Sequence, residues 1–263
     1  MTVAVGRLFL VPTPLDFGVG DALAAADIQE SLPLGVIRQA AGLSHWVAEN
    51  ARSARAFLKR VGAIVPLAQP MQAIHIAELP RPPKGREAGG RLAAIDLAPL
   101  LAPALQGLDI GLVSEAGLPA VADPGAALVR RAHELGIPVT PLPGASALLL
   151  ALAASGLNGQ AFAFVGYLPQ EAGARAARAR ELEALSRRNG QAQLMIETPY
   201  RNQALLDALV ATLQPTTRLA ASCGLTLASG WTRSDAVSTW RARPGRLPTD
   251  VPAVFALQAE RTA

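Results

Sequence analysis

The stretch DIGLVSEAGLPAVADPGAALVRRAHELGIPVTPLPGASALLLALAASGL, residues 109–157, decides the fold. Its first five residues, DIGLV, form an apolar run of strand length. Residues 114–123 are a loop rich in small residues. Residues 124–136 place Ala127, Leu128, Ala132 and Leu135 on one side of a helix. Residues 138–142 read as a second strand, Pro143-Gly144 as a turn, and 145–157 as an apolar helix. A strand–loop–helix–strand–turn–helix order implies parallel strands covered by helices, the α/β class.

The same alternation continues in both directions. Upstream, 7–12 (RLFLVP) reads as a buried first strand, 44–49 as a short strand and 51–61 as a helix. Residues 66–90 hold Pro66, Pro70, Pro80, Pro82, Pro83, Gly85, Gly89 and Gly90, a density of breakers that predicts a loop or flap. Residues 97–105 read as a helix despite Pro103. Downstream, 162–167 (FAFVGY) is a strand, 173–188 a basic helix and 193–197 (QLMIE) a strand. Asn202 is placed as the cap of a helix running to 213. Residues 216–259 suggest three strands with a turn at 243–248. These elements predict two α/β domains: 1–157 with a mainly parallel sheet, and 158–263 with a mixed one. The turn residues Gly156, Asn158 and Gly159 set the boundary.

A chain of 263 residues favours two domains, and 51% apolar content is enough to build both cores. The longest apolar run, 145–154, falls short of the roughly 18 residues that span a bilayer. Residues 1–14 carry one Arg and too short an apolar run for a signal peptide. The expectation is a cytoplasmic protein with no membrane partner. The lone Cys223 excludes an internal disulfide framework, and His45, His75 and His133 lack metal-ligand spacing, so no metal is expected. Net charge is +4 and nearly all the basic residues are Arg, only Lys59 and Lys84 being Lys. That balance permits a phosphate-bearing partner without requiring one.

Two loops are candidates for chemistry. In 114–125 (SEAGLPAVADPG), Ser114 and Glu115 stand at a strand end. Ala116, Gly117, Ala120 and Ala122 leave the backbone approachable, while Asp123 and Pro124 suit a helix N-cap and first turn. In 141–150 (PLPGASALLL), Ser146 opens an apolar helix whose first N–H groups are free. Loops following consecutive parallel strands face one crevice, where ligands bind in open α/β sheets. Each loop taken alone is equally a capped turn. Gly18-Val19-Gly20 begins like a dinucleotide fingerprint, but Leu23 occupies the third glycine position and no acidic residue follows at the right distance. Arg52, Arg55 and Lys59 share one helix face, and Arg175, Arg178, Arg180, Arg187 and Arg188 fall on another helix; a solvated surface is the plain reading of both. Residues 197–201 (ETPYR) end a strand and would put Glu197 and Tyr200 at a cleft edge.

At these loops the sequence resembles the tetrapyrrole methylase fold of S-adenosylmethionine-dependent methyltransferases, and within it the branch of small-subunit ribosomal RNA cytidine 2′-O-methyltransferases. Six ordered segments carry the likeness: VPTPL (11–15), VAENARSARAFLK (47–59), SEAGLPAVADPG (114–125), PLPGASALLLALAASGL (141–157), FVGYLP (164–169) and IETPYR (196–201). The resemblance implies two α/β domains with S-adenosylmethionine in a cleft between them. It implies cofactor contacts at Pro14, at Ser114, Glu115, Ala116, Gly117, Pro119, Ala122 and Asp123, at Ser146 and Ala147, and at Tyr167, Leu168 and Thr198. Glu115 is the first candidate general base, followed by Glu49 and Glu197. An RNA acceptor and a homodimer are further implications. A tetrapyrrole or other small-molecule acceptor, and an inactive cofactor-binding module, are the alternatives. The chain departs from the branch pattern in several places: Asp16-Phe17 replaces Gly-Asn, Glu49-Asn50-Ala51-Arg52 replaces Glu-Asp-Thr-Arg, and Ser114-Glu115-Ala116-Gly117 replaces Ser-Asp-Ala-Gly.

Overall fold

In a computed structural model, the structure describes residues 4–15, 27–80 and 96–260. The Gly18-Val19-Gly20 motif and the 81–90 part of the breaker-rich segment lie outside the described residues. The chain forms two compact units, the first including 24–145 and the second 146–263.

The first unit contains, in order, β1 (Leu8–Leu10), α1 (Leu34–Ala41), β2 (His45–Ala48), α2 (Ala51–Ile64), β3 (His75–Glu78), α3 (Ala98–Leu105), β4 (Ile110–Val113), α4 (Ala126–Glu134) and β5 (Val139–Pro141). Its five strands are all parallel, in the order β3-β2-β4-β1-β5. Successive side chains of a strand point to opposite faces, and both faces are apolar. Phe9, Val11, Trp46 and Ala48 pack with Val36 and Ile37 of α1 and with Phe57, Leu58 and Val61 of α2. Leu8, Leu10, Val47, Ile110 and Leu112 pack with Leu101 of α3 and with Leu128 and Ala132 of α4. This two-sided burial explains why the strands read as continuous apolar runs.

The segment expected to be a loop at 66–90 contains β3, paired in register with β2 from His45↔His75 to Ala48↔Glu78. This edge strand has exposed ends and only half-buried central residues, so it lacks the apolar run that marks its neighbours.

The second unit contains α5 (Ala147–Ser155), β6 (Phe162–Phe164), α6 (Ala172–Asn189), β7 (Ala192–Glu197), α7 (Asn202–Thr212), β8 (Arg218–Cys223), β9 (Trp231–Ala236), α8 (Val237–Ala242) and β10 (Ala253–Gln258). Its sheet is mixed, in the order β6-β7-β10-β8-β9, with β6 and β7 parallel and the remaining pairs antiparallel. One face carries α6, α7 and α8 over Met195, Leu219 and Phe255. The other receives α5 on the small residues Ala192, Ala220 and Ala256 through Leu152. The helix expected to close the first domain therefore belongs to the second, and the boundary moves from the turn at 156–159 to Ser146. Among the described residues, no helix is long and apolar enough to cross a membrane.

Asn202 does not cap α7 as expected. A short turn of 3-10 helix, Pro199–Arg201, precedes that helix and Arg201 takes the cap position. The fully buried Asn202 amide donates instead to the Pro248 carbonyl at 3.1 Å and the Val251 carbonyl at 2.8 Å, tying down the loop before β10.

Candidate functional site

The C-terminal ends of the parallel strands in the first unit bring the predicted residues together. The chain leaves β2 toward β3 on one side of the sheet order and leaves the adjacent β4 toward β5 on the other. Loops that depart in opposite directions from neighbouring strands open a crevice, the position at which α/β sheets bind ligands. The β2 exit is Glu49-Asn50 and the β4 exit is Ser114-Glu115.

These exits are hydrogen-bonded to each other. The Asn50 side-chain amide donates to Glu115 Oε1 at 3.1 Å, and the Glu115 N–H donates to Glu49 Oε2 at 3.3 Å. Asn50 also caps α2, its Oδ1 accepting the Arg52 N–H at 2.9 Å, and Glu78 at the end of β3 accepts the Ala51 N–H at 2.8 Å. Two departures from the branch pattern, Asn50 and Glu115, are thus direct partners. An Asp at position 50 would set a second carboxylate against Glu115 where an amide now donates.

The loop after β4 is pinned to the end of β1. Thr13 and Gly117 exchange two backbone hydrogen bonds of 2.8 Å, and the Thr13 hydroxyl donates to the Ser114 carbonyl at 3.3 Å. Thr13, buried in the structure, is not among the residues the sequence marks; its one signal there is a hydroxyl between Pro12 and Pro14 in VPTPL. Within the loop, Gly117, Ala120 and Ala122 have φ of 76°, 67° and 63°. Alanine in the left-handed region costs about 1–2 kcal/mol, and strain of this kind concentrates at ligand-binding loops. The helix that follows is capped by Gly125 at φ 130°, without a side-chain cap bond. Asp123 is therefore not the N-cap expected of it. Its carboxyl turns to the Ser114 hydroxyl, which also lies 3.2 Å from the Ala116 carbonyl.

That position sets the charge of Asp123. Burial, reinforced by the nearby carboxylates of Glu49 and Glu115, pushes it up to about 6 against the partial relief of the Ser114 hydrogen bond. Three carboxyl groups therefore share one strand-end crevice, and a cationic ligand would reduce their mutual repulsion. At the end of β5, Gly144 lets the next loop close on the first: a Cβ there would stand 2.3 Å from Pro12 Cγ.

The remaining expected residues belong to the second unit. Ser146 is the N-cap of α5 in extended conformation, its hydroxyl making no cap bond, and Ala147 follows as the first helical residue. Tyr167 is 56% exposed and Leu168 is buried. Glu197 is buried, its Oε1 accepting the N–H and hydroxyl of Thr198 at 2.8 and 3.3 Å. Its Oε2 meets the Arg201 guanidinium at 2.9 Å, a charge contact rather than an aligned hydrogen bond. With both oxygens engaged, Glu197 anchors the turn at 198–201. Tyr200 is exposed.

The chain matches the model of the tetrapyrrole (corrin/porphyrin) methylases over residues 47–229. A ribosomal RNA small subunit methyltransferase I from Pseudomonas aeruginosa is 34% identical over 208 residues, which cover 79% of this chain and 61% of that protein. The protein of the same name from Mesorhizobium japonicum is 43% identical over 119 residues, or 45% of this chain and 39% of that one. The matched region is thus less than two thirds of the length of either relative. Among solved structures, the methyltransferase CobJ superposes with a TM-score of 0.56 at 15% identity, covering 98% of this chain and 97% of its own. A conserved hypothetical protein from Aeropyrum pernix K1 gives 0.57 at 16%, covering 98% and 86%. At those identities the superpositions speak for the fold alone.

Proposed function

Because this chain belongs to the tetrapyrrole (corrin/porphyrin) methylase family, we propose that it is an S-adenosylmethionine-dependent methyltransferase whose acceptor is small-subunit ribosomal RNA, at a cytidine ribose 2′-hydroxyl. The observation that carries this reading is the crevice at the ends of β2 and β4, where Glu49, Glu115 and Asp123 converge beside a strained, small-residue loop. The RNA acceptor is supported by the relatives named as ribosomal RNA methyltransferases. A cytoplasmic location, expected from the sequence, and a homodimer, carried over from the family likeness, complete the proposal.

S-adenosylmethionine supplies a methyl carbon activated by a sulfonium, so the protein's work is mainly to position the reactants, an effect that can contribute about 7–11 kcal/mol. The permanent positive charge of that group suits the carboxyl cluster. Pro14, Ser114, Ala116, Gly117, Pro119, Ala122 and Asp123 are its proposed holders in the first unit. Their small side chains leave the backbone open to close approach. Glu115 accepts the proton of the acceptor hydroxyl, a contribution of typically 10²–10⁴-fold. Asn50 holds the Glu115 carboxylate by its amide, and Glu49 holds the same residue by its N–H. No nucleophile is required of the protein, because the sulfonium already makes the methyl carbon reactive toward the acceptor.

Calorimetric titration with S-adenosylhomocysteine, with NADH as the control, tests the cofactor assignment. The proposal expects micromolar binding of the homocysteine compound, one per chain, and none of NADH. A folded protein that binds neither would remove the methyltransferase reading.

A further inference from the structure

Helix α2 begins at Asn50, the residue that holds Glu115, and runs away from the crevice. Its buried side is Ala54, Phe57, Leu58 and Val61. Its outer side exposes Arg52, Arg55 and Lys59, which lie three and four residues apart and so line up along one face. From Arg52 to Lys59 the row extends about 10 Å at 1.5 Å per residue. The helix contains no acidic residue in its 14 positions. Among the described residues, none of the three side chains sits in an ion pair; Arg55 makes only a 3.5 Å contact with the Ala51 carbonyl. The other basic helix differs. In α6, Arg178 is paired with Glu181 at 2.7 Å and Arg175 donates to the Gln170 carbonyl at 3.0 Å; Arg180, Arg187 and Arg188 are in no ion pair among the described residues, but they belong to the second unit and not to the unit that carries Glu115.

A carboxyl cluster repels a polyanion, so a polyanionic acceptor reaches such a crevice only if cations beside it offset that repulsion. The α2 row stands in the same unit as Glu115, on the helix whose capping residue, Asn50, donates to the Glu115 carboxylate. We infer that Arg52, Arg55 and Lys59 form the phosphate-binding track that leads the acceptor RNA to Glu115, an inference that rests on the RNA methyltransferase reading above. The track binds the sugar–phosphate backbone without reading bases, since Arg and Lys on one helix face meet phosphates as charges and forks.

The test is fluorescence anisotropy with a labelled single-stranded RNA oligonucleotide, using wild type, the triple variant R52A/R55A/K59A, and the α6 variant R180A/R187A/R188A. Binding is measured over a series of salt concentrations. Each phosphate contact on single-stranded RNA contributes about 0.7 to the slope of log affinity against log salt, so losing three lowers the slope by about 2 and weakens binding at about 0.1 M salt by about 100-fold. The α6 variant should keep most of the wild-type slope. S-adenosylhomocysteine binding and the melting curve are recorded for every variant and should not change, which separates loss of the track from loss of fold or cofactor site. Equal losses in the two variants would mean diffuse attraction and overturn the inference. An unchanged slope in R52A/R55A/K59A would do the same, as would a wild type that binds S-adenosylhomocysteine but no RNA. Failure of S-adenosylhomocysteine binding would instead count against the methyltransferase reading.

Discussion

Replacing Asp123 by Asn should stabilise the protein, by an amount set by pH. Asp123 ionises near 3.8 in an unfolded chain and near 6 in the folded one. A raised acid is a group whose folded state prefers the proton, so its favourable contribution is complete below pH 3.8 and is lost as pH rises through 6. Taken at 1.36 kcal/mol per pH unit, that span has a ceiling of about 3 kcal/mol. Asp123 keeps partial contact with solvent, and screening reduces the effect to about 1.5 kcal/mol. Asn resembles the neutral acid in shape and carries no charge, so D123N avoids the whole penalty. At about 2–4 °C per kcal/mol for a protein of this size, the variant should melt about 3–6 °C above wild type at pH 8. The gain should shrink by about half at pH 5 and vanish below pH 4. Differential scanning calorimetry over that range measures it. A variant that melts below wild type at pH 8, or whose difference is the same at every pH, would refute the placement of Asp123 beside two carboxylates.

Three further outcomes follow from the same contacts. N50D replaces the donor to Glu115 Oε1 by a carboxylate and should cost about 1–2 kcal/mol at pH 8, less at pH 5, read by chemical denaturation at both values. G144A brings a Cβ against Pro12 and should destabilise the protein by about 1–3 kcal/mol while weakening S-adenosylhomocysteine binding; a variant that melts and binds like wild type would refute the tight seating of that loop. S-adenosylmethionine should bind more tightly as pH rises from 5 to 7, because a cation favours ionised Asp123; calorimetric affinities that are flat across this interval would remove Asp123 from the cofactor's neighbourhood.

The parallel core strands were legible because burial on both faces leaves continuous apolar runs such as LFL at 8–10 and IGLV at 110–113. Strand β3 was not, because an edge strand with exposed His75 and Glu78 needs no such run, and the prolines around it point to a loop. The domain boundary slipped for a related reason. Helix α5 is apolar on every side, so its sequence does not say which sheet it covers; its buried residues Ala151, Leu152 and Ser155 choose the second. The candidate loops at 114–125 and 47–52 were legible as strand exits, and the structure brings them into hydrogen-bond contact. What composition and spacing do not carry is contact across the chain. Asn50 and Glu115 are 65 residues apart, and only the pairing of β2 with β4 reveals that one departure from the family pattern answers the other. Likewise Asp123 and Pro124 read as a helix start, but two left-handed alanines carry the chain on to Gly125 and leave the Asp123 carboxyl for the crevice.

Transfer of a methyl group to RNA can be measured directly. Unmodified small-subunit ribosomal RNA should be incubated with the protein and S-adenosylmethionine carrying a deuterated methyl group, then digested to nucleosides and analysed by mass spectrometry. Labelled 2′-O-methylcytidine is expected with wild type, and a loss of about 10²-fold or more with E115Q. No labelled nucleoside, from a protein that still binds S-adenosylhomocysteine, would contradict it.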